Sequence, residues 1–195
     1  MKNIVVFASG YGSNFQAIID AVEAGKIKAS ICGLIVNKPG VTAMSRANKH
    51  HIPLKIMNPR DFRDADLYSE AMLQQLLEWK PDLIVLAGYL LKVPEKVVNA
   101  FTGRIINIHP SLLPKYSGKG FYGLYVHQAV LENDDNETGC TVHIVDNIYD
   151  NGPILAQARV PVHKGDRAED ISKRVREKEL EVFPDVIASI INKSY

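Results

Sequence analysis

An amide and an imidazole stand two residues apart at the end of an apolar run, in the stretch INIHPSLLP. These two polar side chains are Asn107 and His109. Because side chains at i and i+2 of a strand project to the same face, one ligand could meet both. An imidazole can move a proton near neutral pH, and an amide N–H can stabilise an oxygen that gains negative charge, so the pair suits acyl transfer. The alternative is a strand end with a hydrogen-bonded core histidine.

A glycine-punctuated loop, SGYGSN, follows the first apolar run. Its residues Gly12, Ser13 and Asn14 stand at the predicted start of a helix, where backbone N–H groups and the partial positive charge of the helix end favour an anion such as phosphate. The spacing matches neither the GxGxxG dinucleotide fingerprint nor the P-loop with its lysine. The alternative is a tight turn in which Ser13 is the helix N-cap.

Three carboxylates occupy positions where they could take part in chemistry. Asp146 and Asp150 lie in VDNIYDNGP, after another apolar run, and a carboxylate there could hold and polarise His109 if the fold brings the two together. Asp, Asn and Gly are also ordinary turn residues. Glu179 falls on the apolar stripe of the last predicted helix, where a carboxylate either has a partner or reaches solvent at the margin of the stripe.

Short apolar runs alternate with helical patterns along the chain. These strands and helices determine whether the candidate residues come together. The pattern predicts an α/β fold in which helices cover both faces of a mostly parallel, doubly wound sheet, with residues 1–195 as one domain. The predicted strands are 3–8, 31–36, 54–57, 82–87, 104–108, 140–145 and 154–160, and the predicted helices cover 15–22, 41–49, 65–79, 126–132 and 167–191. Ligands of such sheets bind beyond the carboxyl ends of the strands. The SGYGSN loop, the GYLLKV loop and His109 are therefore expected to line one cleft.

Composition and charge argue against several classes of protein. The chain is 46% hydrophobic and 23% charged, which is ordinary for a globular domain, and its net charge of +1 gives no broad basic field for nucleic acid. Cys32 and Cys140 are far apart and indicate neither a CxxC site nor a disulfide framework, which favours a cytoplasmic setting. The first apolar run is too short for a signal peptide, and no apolar stretch is long enough to span a membrane.

The remaining histidines indicate no metal site. His50 and His51 are consecutive and would point in different directions on a helix, and no HExxH or comparable spacing occurs. His143 lies within a predicted strand, which favours a core or supporting role.

Three motifs resemble those of a known family: ASGYGSN, INIHPSLLPKYSG and DNIYDNGPILAQ. The chain is similar over essentially its whole length to the folate-dependent formyltransferases. The later two motifs are shared across that superfamily, whereas the GSN loop and the overall length are similar to those of its members that formylate glycinamide ribonucleotide in purine synthesis. The resemblance implies an enzyme that passes the formyl group of 10-formyltetrahydrofolate directly to the glycinamide amine, with no covalent enzyme intermediate and no metal.

The resemblance also implies roles for individual residues. Asn107 would donate to the developing oxyanion, His109 would carry the proton, and Asp150 would stabilise the imidazolium of His109 and raise its pKa. The residues implied in binding glycinamide ribonucleotide are Gly12, Ser13, Asn14 and Glu179. Those implied in binding the folate are Leu90, Leu91, Lys92, Val93, Asn107, Asp146 and Asp150.

Some family members carry arginine where this sequence has Leu91 and Ala65, near the folate tail. Arg63 and Lys92 are then the candidates for the basic group that meets the glutamate of the folate. The segment 118–125, GKGFYGLY, is longer than in some members. It is expected to be a mobile loop near the cleft, and the alternative is a glycine-rich surface turn.

Three rival functions draw on some of the same residues. A formyltetrahydrofolate hydrolase would use the same catalytic group with water as acceptor, and the start of the sequence at the first strand, with no regulatory domain before it, argues against it. The short chain likewise argues against transfer to tRNA. A non-catalytic phosphosugar-binding module would keep the GSN loop and tolerate loss of His109. The expected partners are small molecules, with neither nucleic acid nor membrane, and a monomer or homodimer is expected.

Overall fold

Seven strands and six α-helices make up the described part of the chain, residues 1–193 of a computed structural model. The strands are β1 (Lys2–Ala8), β2 (Ala29–Val36), β3 (Leu54–Ile56), β4 (Leu83–Leu86), β5 (Ile105–His109), β6 (Glu137–Ile144) and β7 (Ile154–Pro161). The helices are α1 (Ser13–Glu23), α2 (Thr42–Lys49), α3 (Ala65–Trp79), α4 (Glu95–Ala100), α5 (Leu124–Glu132) and α6 (Ala168–Ile191).

All seven strands belong to one sheet, in the order β3-β2-β1-β4-β5-β6-β7. The pairs from β3 to β5 run parallel, whereas β5 pairs antiparallel with β6, and β6 with β7. The interior strand β1 is apolar on both faces, as a covered parallel strand must be. The predicted mostly parallel α/β sheet is therefore confirmed, with an antiparallel edge added.

The core lies on both faces of this sheet because alternate side chains of a strand point to opposite sides. Ile4 packs into a cluster with Phe15 of α1 and Phe183 of α6. Val5, its neighbour in β1, packs into a second cluster with Met72 of α3. Within residues 1–193, no helix combines the length and the apolar character that crossing a membrane requires.

Two elements differ most from the prediction, whereas the bounds of the other predicted strands and helices agree within two residues. The short helix α4 was not predicted; it is a six-residue segment that begins immediately after Pro94, and a segment of that length shows little periodicity. Strand β6 begins at Glu137, before the predicted Cys140, because the more polar residues at its start pair in register with the end of β7, from Pro161 back to Arg159. Apolar patterning alone does not detect such a polar strand end.

Candidate active site

A cavity of about 700 Å³ lies at the carboxyl ends of the parallel strands. The three segments expected at one cleft line it together: the loop after β1, the loop after β4 and the end of β5. The first two loops are joined directly, because the backbone N–H of Leu90 donates to Oγ of Ser9 at 2.9 Å. Segments 118–123 and 145–150 and one face of α6 complete the wall.

Asn107 and His109 both line the cavity from the end of β5. The fold brings Asp150 to His109, with 3.5 Å between its Oδ1 and Nδ1 of the ring. The other ring nitrogen, Nε2, lies 2.8 Å from the carbonyl oxygen of Tyr116. Since a carbonyl only accepts, Nε2 of the neutral ring carries the hydrogen. Any proton that His109 gains therefore goes to Nδ1, beside the Asp150 carboxylate.

The pKa of His109 lies below its usual value of 6.5. Burial lowers it most, since the side chain is only 5% exposed, while Asp150 and the hydrogen bond to Tyr116 raise it less. Asp150 therefore acts on the pKa in the direction that the resemblance implies, but desolvation of the imidazolium outweighs the ion pair. His109 is thus neutral near pH 7 and able to accept a proton.

At Asp150, the neighbouring groups together shift the pKa more than burial does. Burial raises the pKa of this carboxyl, but the ring of His143, the charge of His109 and the Gly118 N–H together lower it below its usual value. The Gly118 N–H donates to Oδ2 of Asp150 at 2.9 Å, which also fixes the start of the 118–125 segment against the site. Asp150 therefore stays ionised and faces His109 as a carboxylate.

His143 lies on β6, where it pairs in register with Asn107 of β5. Its Nδ1 lies 2.9 Å from the carbonyl of Ile144 and its Nε2 lies 3.1 Å from Nδ2 of Asn107. In the neutral ring Nδ1 donates to that carbonyl, so Nε2 accepts one amide hydrogen of Asn107. The second amide hydrogen of Asn107 is left for a ligand. His143 is buried as predicted, but it also lines the cavity, which the sequence analysis missed.

The loop after β1 forms the anion-binding candidate. Gly12 is the N-cap of α1 with φ +74°, and no side chain caps the helix. The alternative that placed Ser13 at the N-cap is wrong, since Ser13 is the first helical residue. The first turn of α1 carries no acidic side chain, and the first N–H groups of a helix have no partner within it. Gly12, Ser13 and Asn14 all line the cavity.

Helix α6 closes the same end of the cavity. Nδ2 of Asn14 donates to Oε2 of Glu179 at 2.9 Å, so the carboxylate on the apolar stripe has a partner. Burial raises the pKa of Glu179, although Asn14 and Arg176 oppose this. Arg176 lies one turn earlier on α6 and also lines the cavity. Arg176 was not predicted from the sequence, because an arginine on a charged helix gives no signal of its own.

The loop after β4 forms the apolar end, with Leu90, Leu91, Lys92 and Val93 on the cavity wall. Nζ of Lys92 lies 5.7 Å from the ring centre of Tyr149. Asp146 lines this part as well, and its Oδ1 accepts from the N–H of Ile148 at 2.8 Å. Ala65 instead begins α3, and Arg63 lies beside Asp64 with an 86% exposed side chain. Of the two basic candidates, Lys92 lines the cavity and Arg63 does not.

Replacing Gly12 with alanine is expected to destabilise the protein more than replacing Gly40 with alanine. Both glycines have positive φ, +74° and +77°, so each substitution carries a backbone cost of roughly 1–2 kcal/mol. A Cβ at Gly12 would also come 2.9 Å from Cβ of Ala43, whereas nothing lies within 4 Å at Gly40. Urea unfolding should show the larger loss of stability for Gly12→Ala. Equal losses would contradict this close packing of the loop on α2.

Comparison with known proteins assigns the chain to one family. Residues 2–187 match the family described as formyl transferase. Phosphoribosylglycinamide formyltransferase of Escherichia coli (strain K12) is 40% identical over 186 residues, which cover 95% of this chain and 85% of that protein. The protein of the same name from Haemophilus influenzae is 41% identical over 187 residues, covering 96% and 86%.

The fold agrees with that assignment. The crystal structure of phosphoribosylglycinamide formyltransferase from Bacillus halodurans superposes with a TM-score of 0.93 at 34% identity, covering 100% of this chain and 97% of that one. The resemblance drawn from the motifs is thereby confirmed. The chain belongs to the formyl transferase family, as a folate-dependent formyltransferase whose relatives are named phosphoribosylglycinamide formyltransferase.

Proposed function

We propose that this protein transfers the formyl group of 10-formyltetrahydrofolate to the amine of glycinamide ribonucleotide, in purine biosynthesis, and that the chain acts as one catalytic domain. The observation that carries this proposal is the layout of the cavity. The anion-binding loop Gly12–Asn14 and the apolar loop Leu90–Val93 line the same cavity as Asn107, His109 and Asp150. The names of the relatives support the same acceptor.

The cavity is suited to two substrates with different chemistry. Leu90, Leu91 and Val93 offer an apolar wall for the flat pterin of the donor, and Lys92 offers a positive charge for its carboxylate tail. At the other end, the N-terminus of α1 suits the phosphate of the acceptor, and Glu179 suits its ribose hydroxyls. The reacting amine and the formyl carbon then meet between the two ends.

The transfer forms a bond from the acceptor nitrogen to the formyl carbon and breaks the bond from that carbon to N10 of the donor. Attack places negative charge on the formyl oxygen, and the second amide hydrogen of Asn107 donates to it. The amine must lose one proton and N10 must gain one. Nδ1 of His109 accepts the first and supplies the second, while Asp150 stabilises the imidazolium between these steps. No bond to the protein is needed.

Replacing Asp150 with asparagine is expected to shift the acid limb of the kcat/KM profile to lower pH and to reduce turnover by roughly tenfold or more. Asp150 raises the pKa of His109, so its loss lowers that pKa, and His109 stays neutral to a lower pH. Asparagine can adopt the backbone conformation of this position, because Asp150 has φ +51° and asparagine tolerates the left-handed region.

A pH profile of Asp150→Asn beside Asp146→Asn measures this shift. Asp146 lies in the same loop, but its carboxylate binds Ile148 and Asn151, so the acid limb of its variant should stay in place. An acid limb of Asp150→Asn that stays or moves to higher pH would contradict the proposed ion pair.

The proposed activity is tested by following release of tetrahydrofolate from 10-formyltetrahydrofolate with and without glycinamide ribonucleotide. Release that requires the ribonucleotide supports the transferase. Release at the same rate without the ribonucleotide would support a hydrolase instead. Binding of the ribonucleotide with no release under any condition would support a phosphosugar-binding module.

A further inference from the structure

His127 is a buried histidine that the proposed reaction does not use. It lies on α5, it is only 2% exposed, and it lines the cavity. Its Nδ1 has no hydrogen-bond partner among the described residues. A buried polar nitrogen left without a partner is unfavourable, because it has lost its hydrogen bonds to water. Such a group on a cavity wall indicates a ligand that supplies the missing bond.

His127 shares the cavity wall with Arg176 and His109. Burial lowers its pKa to about 4, and Arg176 and His109 lower it further. Arg176 belongs to the phosphosugar end, one turn from Glu179, and His109 belongs to the reacting end. A neutral imidazole carries one donor and one acceptor. One nitrogen of the His127 ring can therefore donate a hydrogen bond, and the other can accept one.

We propose that His127 binds the carboxamide of the acceptor, the group that links its ribose to the reacting amine. A secondary carboxamide has one N–H and one C=O, so it can engage either imidazole nitrogen as donor or acceptor. The phosphate and the ribose hydroxyls already have candidate partners in Gly12–Asn14 and Glu179, whereas no other residue has been assigned to this linker. His127 then positions the amine beside His109 and selects acceptors that carry an amide at this place.

This inference rests on the proposed function, and its test separates the two. His127→Leu removes both nitrogens while it keeps an apolar side chain of moderate size in the buried position. The expected result is a rise of roughly tenfold in KM for glycinamide ribonucleotide, with the KM for 10-formyltetrahydrofolate unchanged. His127→Gln, which keeps a donor and an acceptor, should recover part of the loss. His163→Leu, at an exposed histidine outside the cavity, serves as the matched control.

An unchanged KM for the ribonucleotide in a folded His127→Leu protein would overturn the inference and leave the transferase intact. Equal rises in both KM values would also overturn it, because they indicate a purely structural role. If the wild-type protein fails to use the ribonucleotide at all, the proposed function itself fails.

A second measurement needs no substitution. With imidazole nitrogens labelled by 15N, glycinamide ribonucleotide should shift the His127 resonances of the wild-type protein, whereas ribose 5-phosphate, which lacks the carboxamide, should leave them in place. No shift with the ribonucleotide, or the same shift with both compounds, would overturn the inference.

Discussion

Replacing His109 with alanine should lower kcat for formyl transfer by roughly 10²–10⁴-fold, the usual contribution of a general acid–base group. The imidazole is held at one nitrogen by the Tyr116 carbonyl, and its other nitrogen faces Asp150. It is also neutral near pH 7, since burial lowers its pKa. His143 also lies beside Asn107 and Asp150, but its Nδ1 donates to the carbonyl of Ile144 and its Nε2 accepts from Asn107, so both of its nitrogens are engaged. Rates under saturating donor and acceptor measure the loss.

Two controls separate this chemical role from damage to the site. Binding of glycinamide ribonucleotide to His109→Ala, measured by calorimetry, should be close to that of the wild type, because the proposed acceptor contacts lie on α1, α5 and α6. His109→Gln fills more of the buried space and should be as inactive as alanine. A loss of kcat below roughly tenfold in a folded variant would remove His109 from the proton transfer.

Replacing Asn107 with alanine should lower kcat by roughly 10²–10³-fold, the effect of losing one donor to a developing oxyanion. His143 accepts one amide hydrogen and so fixes the direction of the other. Asn107→Asp should be at least as harmful, because it has nearly the same shape but places a negative charge where the formyl oxygen gains one. The KM values for both substrates should change little, since the hydrogen bond strengthens only as the charge develops.

Asn133→Ala is the matched control for this experiment. Its amide donates to the carbonyl of Ala129, away from the cavity, so its kcat should be that of the wild type. An Asn107 effect confined to KM would assign the amide to ground-state binding and contradict its role in the transition state.

The alternation of apolar runs and helical patterns was enough to predict the sheet and the common edge of the site. Loops that follow parallel strands meet at one end of the sheet, so Gly12, Leu90 and His109 could be placed together before their contacts were known. The i, i+2 spacing of Asn107 and His109 likewise needs only strand geometry. These predictions depend on local periodicity, which the sequence carries directly.

The features that escaped prediction depend on tertiary packing. His143 meets Asn107 because β6 runs antiparallel to β5 in one particular register. Arg176 and His127 reach the cavity only through the packing of α5 and α6 at its side. The sign of the pKa shift at His109 depends on how deeply the ring is buried relative to its distance from Asp150. None of these quantities is visible in spacing or composition.

The most direct test of the account is a single turnover with enzyme in excess of 10-formyltetrahydrofolate labelled in its formyl carbon. Glycinamide ribonucleotide is added last, and both protein and small molecules are analysed by mass spectrometry. The account predicts that the label stays on the folate until the ribonucleotide is added, then appears on its amine without passing through any protein-bound form. A formylated protein that transfers its label to the ribonucleotide would contradict direct transfer beside Asn107 and His109.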